Sequence, residues 1–220
     1  MPRTNAEVWS WAVFAISVGA YIPLAIGGWL HQKELNIACY SIWLILALMM
    51  VFGSFKQGFA GWRMPLGWTL GNGSLVIFSL AIGGYTFNLG PAETIVIYGI
   101  IGTLALFVAV GTMTKKWNPR ILLLGSIAAD VLSFYPQMKQ YLQPHEPATW
   151  LMISGWWLFL LAALANAFFV EEFAKKLLMG EAEYVIAYGR AKNTCRIIEE
   201  SLLSLENSSL IFVTIVVMTR

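Results

Sequence analysis

NIACYSIWLILALMMVFGSF, residues 36–55, runs for twenty positions without one charged side chain. Coiled as an α-helix, such a run rises about 30 Å, the thickness of a bilayer's hydrocarbon layer. Five more runs share its length and character: Ser10 to Trp29, Pro65 to Gly84, Thr94 to Met113, Ile121 to Tyr141 and Trp150 to Val170. A seventh, Leu210 to Met218, is too short to span without help. No single soluble core hides that much apolar surface. The chain is 58% apolar and 12% charged, against about 25% charged in soluble domains. The expectation is an all-α polytopic membrane protein with six to seven transmembrane helices. The first run is too long for a signal-peptide core and no small-residue cleavage pattern follows it, so it is read as a retained span.

The charges between the runs carry a direction. Arg3 precedes the first run, Lys56 and Arg63 follow the second, and Lys115, Lys116 and Arg120 follow the fourth. Lys175, Lys176, Arg190, Lys192 and Arg196 follow the sixth. All fall on one side if the six long runs alternate, and the other side keeps only Lys33 and Lys139. The positive-inside rule then puts the N-terminus in the cytoplasm, in a plasma or inner membrane. Trp9, Trp11, Trp29, Trp62, Trp68, Trp117 and Trp150 stand near run ends, where an aromatic belt is expected. Trp43, Trp156 and Trp157 lie deeper. Cys39 and Cys195 are too far apart in kind and place to imply a disulfide framework, and Cys39 reads as a small core residue.

A shift of 113 residues (136 − 23) brings Pro23 onto Pro136, Ser41 onto Ser154, Trp43 onto Trp156 and Phe55 onto Phe168. It carries the first run onto the fifth. Four crossings separate the two, so the copies run in the same direction through the membrane, as parallel repeats about an axis along the normal. The expected organisation has four parts. Residues 8–87 form a first three-helix unit, 91–114 a spacer transmembrane helix, and 120–170 the first two helices of a second unit. Residues 171–220 form an amphipathic cytoplasmic segment and a short terminal hydrophobic helix. Between Glu171 and Glu206 apolar residues recur at helical spacing, interrupted by Gly180 and Gly189.

Pro23 and Pro136 each remove a backbone hydrogen bond within a span. Their matched positions suit paired flexing points, with Gln137 beside the second. The second copy reads Leu132-Ser133-Phe134-Tyr135-Pro136-Gln137-Met138, with Gly125-Ser126-Ile127-Ala128 upstream and Ser154 and Trp156 in the next run. Over residues 121–170 this resembles the PQ-loop family, which includes the SWEET and SemiSWEET sugar transporters and cystinosin-like carriers. In the first copy Leu24 stands where the second has Gln137. The resemblance implies three helices, a spacer and three helices, and transport of a small polar solute by alternating access, as a uniporter or a proton-coupled carrier. It also implies a midplane pocket in which Trp43 and Trp156 stack on the solute while Asn72 and Asn166 bond its polar groups. SWEETs keep the N-terminus outside, opposite to the charge bias here.

Asp130 is the acid set deepest in an apolar run. A charged aspartate at the bilayer centre costs about 2.5–3.5 kcal/mol on insertion scales. It is retained there facing a cavity, paired or protonated, which makes it the proton-coupling candidate. Ser17 holds the matching place in the first copy. The Gly67-x-x-x-Gly71 spacing suits close helix contact. His31 and His145 have no metal-ligand spacing around them, no span carries a lysine to hold retinal, and no phosphate loop or nucleophile elbow occurs. No cofactor, no catalytic set and no nucleic-acid partner are expected. The expected partners are the solute, the lipid bilayer and, in addition, further copies or a protein complex. The competing reading is a non-transporting membrane subunit that binds a larger complex through its Trp-rich ends and C-terminal helices.

Overall fold

The computed structural model describes residues 5–30, 37–57, 60–82, 90–115, 118, 121–123, 125–130, 132–133 and 150–170. Nearly all of these are helical, and no strand occurs among them. The helices are α1 (Asn5–Gly19), α2 (Tyr21–Trp29), α3 (Ile37–Gln57), α4 (Arg63–Ile82), α5 (Pro91–Thr114), α6 (Ile121–Asp130) and α7 (Trp150–Ala165). A 3₁₀ turn, Ala60–Trp62, leads into α4, and a π-helical turn, Asn166–Val170, extends α7. Four stretches are long and apolar enough to cross a bilayer: Asn5–Trp29, Ile37–Lys56, Ile97–Thr114 and Ile153–Val170. By that length and composition the chain is a membrane protein. The segment 171–220, Pro136 and Gln137 lie outside the described residues.

The first span is one rod with a break. α1 ends at Gly19 and α2 begins at Tyr21. Pro23 accounts for the position: its nitrogen cannot donate to the carbonyl four residues back, that of Gly19, and its ring crowds the same oxygen. The Ala20 amide still reaches the Ile16 carbonyl at 2.9 Å, so the break is a kink and not a loop. α5 is framed by Gly90 as N-cap with Pro91 at the first helical position. It closes at Lys115, whose φ of 54° is left-handed. Proline there loses no intrahelical bond. The carbonyl of Asn118 accepts from the Ile121 amide at 3.1 Å and starts α6.

α4 packs against both α1 and α3, and α7 packs against α1 and α2. α4 is as long as the four apolar spans but carries Asn72, Ser74, Ser79 and three glycines. Two of those glycines explain its place. A Cβ on Gly67 would stand 2.8 Å from the Ser17 Cβ, and one on Gly71 would stand 2.0 Å from Cδ2 of Tyr21. The Gly67 and Gly71 pair is therefore a contact surface for the first span, as its spacing led one to expect. With lipid as solvent, such close backbone approach is what holds helices together. α7 does the same at Gly155, where a Cβ would meet the Ala20 carbonyl at 2.9 Å. α6 meets α3 where Leu123 lies against Gly53.

α5 is the least buried of the four apolar stretches. Its exposed Thr103, Thr112 and Thr114 hydroxyls donate to the carbonyls of Gly99, Val108 and Val110 at 2.7–2.8 Å. Each hydroxyl proton is thus satisfied within the helix, which a lipid-facing surface requires. Trp9, Trp11, Trp29 and Trp150 are exposed, as a belt demands, but Trp68 is buried in the core and is no part of it. Of the deeper tryptophans, Trp157 faces outward while Trp43 and Trp156 face inward. Cys39 is buried.

Candidate functional site

A circuit of contacts joins α2, α7, α3 and α6. The Tyr21 ring meets Phe159 edge-on at 4.8 Å. Phe159 lies 5.5 Å from Trp156, and Trp156 meets Trp43 edge-on at 6.4 Å between centroids. The Trp43 indole Nε1 donates to the Ser133 hydroxyl. That hydroxyl in turn donates to the Asp130 backbone carbonyl at 2.6 Å. Asp130, buried like the others, stands at the α6 end of this chain of contacts. All six residues are buried.

Local sequence explains each position. Trp156 and Phe159 are three residues apart and so share a face of α7. Ser133 follows Asp130 by the same interval, which puts its hydroxyl beneath the Asp130 carbonyl. Tyr21 opens the helix after the kink. Its ring lies over Gly71, where α4 has no side chain to compete with it. Tyr40, one turn before Trp43, meets that indole edge-on at 5.3 Å. Aromatic pairs of this kind add about 0.5–1.5 kcal/mol each beyond the area they bury.

Two of the asparagines expected to line a pocket part company. Asn72 joins the circuit: its side chain hydrogen-bonds that of Tyr21, and its Oδ1 is buried with no partner among the described residues. Asn166 does not. It follows Trp156 by ten residues, a rise of about 15 Å along the helix. It lies in the turn Asn166–Val170, packed against α1 and the 60–62 turn, with both amide atoms buried and unpartnered among the described residues. Asp130, Trp43 and Trp156 are buried. Of the hinge candidates only Pro23 is described, at the kink.

Tyr21, Ser133 and Phe159 were not singled out by the sequence as site residues. The three-residue offset from Trp156 was a signal for Phe159. Tyr21 offered only its place two residues before Pro23.

A second cluster closes the end of the bundle where α1 and α4 begin. Arg63 donates from Nη1 to the Ser10 hydroxyl at 2.7 Å, and its Nη2 lies 3.9 Å from Glu7 Oε1. Its guanidinium covers the rings of Trp11 at 4.7 Å and Trp62 at 5.0 Å. Trp9 stacks on Phe169 at 4.4 Å across the α1–α7 boundary. Among the described residues the basic side chains are Lys56, Arg63 and Lys115, all at helix ends. No group of three His, Cys, Asp or Glu side chains gathers among them to hold a metal. Comparison with family models, with curated proteins and with solved structures finds no match to this chain.

Proposed function

We propose that the chain is a carrier that moves a small polar solute across a membrane by alternating access. In this reading six or seven spans form two parallel three-helix units with α5 as the spacer and the N-terminus in the cytoplasm. Trp43, Trp156 and Asn72 contact the solute, Asp130 couples protons, and Pro23, with Pro136 and Gln137 in the second unit, is where the helices bend. Asn166 acts at the end of the path and not beside Trp156.

One observation carries the reading. The repeat shift maps α1 onto α6, and α3 onto α7 with its terminal turn; it carries α2 onto residues 134–142, outside the described residues. A pseudo-twofold then requires the α3–α6 contacts to reappear between α7 and the first span. Trp43 meets Ser133, beyond the end of α6, and the shift maps this pair onto Trp156 and Ala20. Gly155, the neighbour of Trp156, sits against Ala20. Gly53 meets Leu123, which maps onto Asn166 and Ser10. Nearby, Phe169 stacks on Trp9. The two boundaries thus use corresponding segments, and Trp43 and Trp156 meet where the axis would run. Edge-on at 6.4 Å the two indoles touch each other, so a solute that stacks on either must part them, which is a relative movement of the two units.

Uptake into proteoliposomes tests this. The wild-type protein should exchange a labelled solute, and a pH gradient should drive its accumulation. Asp130→Asn should abolish the pH-driven component while leaving solute exchange measurable and the protein folded. An unchanged pH response would reject the coupling role. The absence of any exchange, together with a stoichiometric co-purifying protein, would support the subunit reading instead.

A further inference from the structure

The turn that extends α7 holds a polar group outside the circuit, and its placement bears on how water reaches the interior. We propose that the boundary between α1 and the turn Asn166–Val170 is a water-admitting entrance at the Arg63 end of the bundle, with Asn166 as its polar lining and the Trp9–Phe169 stack as its closure. The proposal rests on the carrier reading above, which puts α1 and α7 in different moving units.

Four buried serines are matched close to home. Ser10, Ser79, Ser126 and Ser133 each give the hydroxyl proton to a carbonyl three or four residues back, at 2.6–2.9 Å. Asn166 differs. It is 1% exposed, and both its amide oxygen and its amide nitrogen lack a partner among the described residues. A carboxamide carries two donor hydrogens and an acceptor oxygen. Leaving them unmet is costly inside a bilayer, and ordered water is what meets buried groups of this kind. Asn166 also opens a π-helical turn, a widened form that recurs at functional sites. That turn packs on α1 and on the 60–62 turn, the elements around Arg63. The guanidinium there is matched to Glu7 and Ser10. Asn166 therefore calls for an uncharged donor and acceptor, and water is both.

The closure is the ring pair one turn further on. Phe169 follows Asn166 by three residues and stacks on Trp9 of α1, with centroids 4.4 Å apart and planes 19° from parallel. Trp9 is 40% exposed and Phe169 50%, so the stack lies at the surface of the boundary while Asn166 lies beneath it. A second ring pair stands at the same end of the bundle. Phe55 of α3 meets Trp62 edge-on at 5.4 Å. In the carrier reading Phe55 and Trp62 belong to one unit and stay together. Trp9 and Phe169 belong to two, so movement of the units parts them and uncovers Asn166.

Thiol accessibility of the full-length protein in proteoliposomes tests the entrance, in a chain whose Cys39 and Cys195 are replaced by alanine. The probe is a quaternary-ammonium methanethiosulfonate, water-soluble and supplied on both faces of the membrane. Asn166→Cys should be modified at least about tenfold faster than Leu161→Cys, because the thiolate is the reactive form and apolar surroundings suppress it. Leu161 is 52% exposed on the outside of α7 and serves as the lipid-side reference. Val170→Cys, buried four residues on, should behave as Asn166→Cys does and replaces it if that variant does not fold. Bridging Trp9→Cys to Phe169→Cys with a short bifunctional methanethiosulfonate should stop both the modification and solute exchange, and reductant should restore them. The Phe55→Cys, Trp62→Cys pair, bridged in the same way, should leave exchange as it was. Modification at Asn166→Cys no faster than at Leu161→Cys, or exchange that continues through the bridged Trp9→Cys, Phe169→Cys pair, would overturn the proposal. If the probe reaches Asn166→Cys and bridging prevents it, while the unmodified protein exchanges no solute, the entrance stands and the carrier reading fails.

Discussion

Arg63 and Asp130 are both ionisable residues set within the helices of the bundle, yet their surroundings differ in one respect. Arg63 finds its partners on α1 and in the turn before α4, with Glu7, Ser10, Trp11 and Trp62 around it. In the repeat reading all of these belong to one unit. Asp130 belongs to a circuit that takes side chains from α2, α3, α6 and α7, which the same reading assigns to both units. The first cluster rivets α1 to α4 and leaves them a single body. The second joins what the proposed carrier treats as two moving bodies, and Asn72 Oδ1 within it is buried with no partner among the described residues. In the proposed carrier, the charge matched inside one unit serves structure, and the polar groups shared across the boundary are the ones proposed to handle the solute.

Substitutions that separate the two regions should rank accordingly. The largest effect belongs to Trp156, which is 1% exposed and touches Trp43 and Phe159. Trp156→Ala should cost about 3–5 kcal/mol, the range for deleting a buried aromatic side chain, read as the midpoint of denaturation in mixed detergent micelles. Next comes Gly71→Ala. Its new methyl would stand 2.0 Å from the Tyr21 ring. Overpacking of this kind costs about 1–3 kcal/mol, and turning Tyr21 aside should reduce solute exchange as well.

The control for that change lies on α5. A Cβ at Gly102 meets nothing within 4 Å, so Gly102→Ala should stabilise by up to about 1 kcal/mol through helix propensity. Equal costs at Gly71 and Gly102 would remove the distinction between a contact glycine and an open one. The smallest effect is expected from Glu7→Gln. Its side chain is 40% exposed and its ion pair with Arg63 is long at 3.9 Å, so the cost should stay within about 1 kcal/mol.

The bundle's outline was legible because hydrocarbon imposes a length and a polarity that few soluble helices satisfy. The close contact at Gly67 and Gly71 was legible because a four-residue interval keeps both on one face. The meeting of Trp43 and Trp156 was expected from the matched places that the 113-residue shift gives them. Tyr21 was hidden for a physical reason: its direction depends on the kink that Pro23 imposes, and no periodicity read across a kink keeps its phase. Asn166 was grouped with Asn72 because both are amides in apolar runs. The rise of α7 separates it from Trp156 by about 15 Å. Trp68 was assigned to the belt by its nearness to a run's start, but α4 begins at Arg63, five residues earlier, and Trp68 lies one turn inside, in the core.

Solute counterflow in proteoliposomes, compared between Asn72→Ala and Glu7→Gln at matched folded fractions, tests the division between the two regions most directly. Asn72→Ala should lower exchange by about tenfold, the scale for removing one polar partner inside a desolvated site, while Glu7→Gln exchanges like wild type. Equal losses in both variants, or full exchange by Asn72→Ala, would contradict the account.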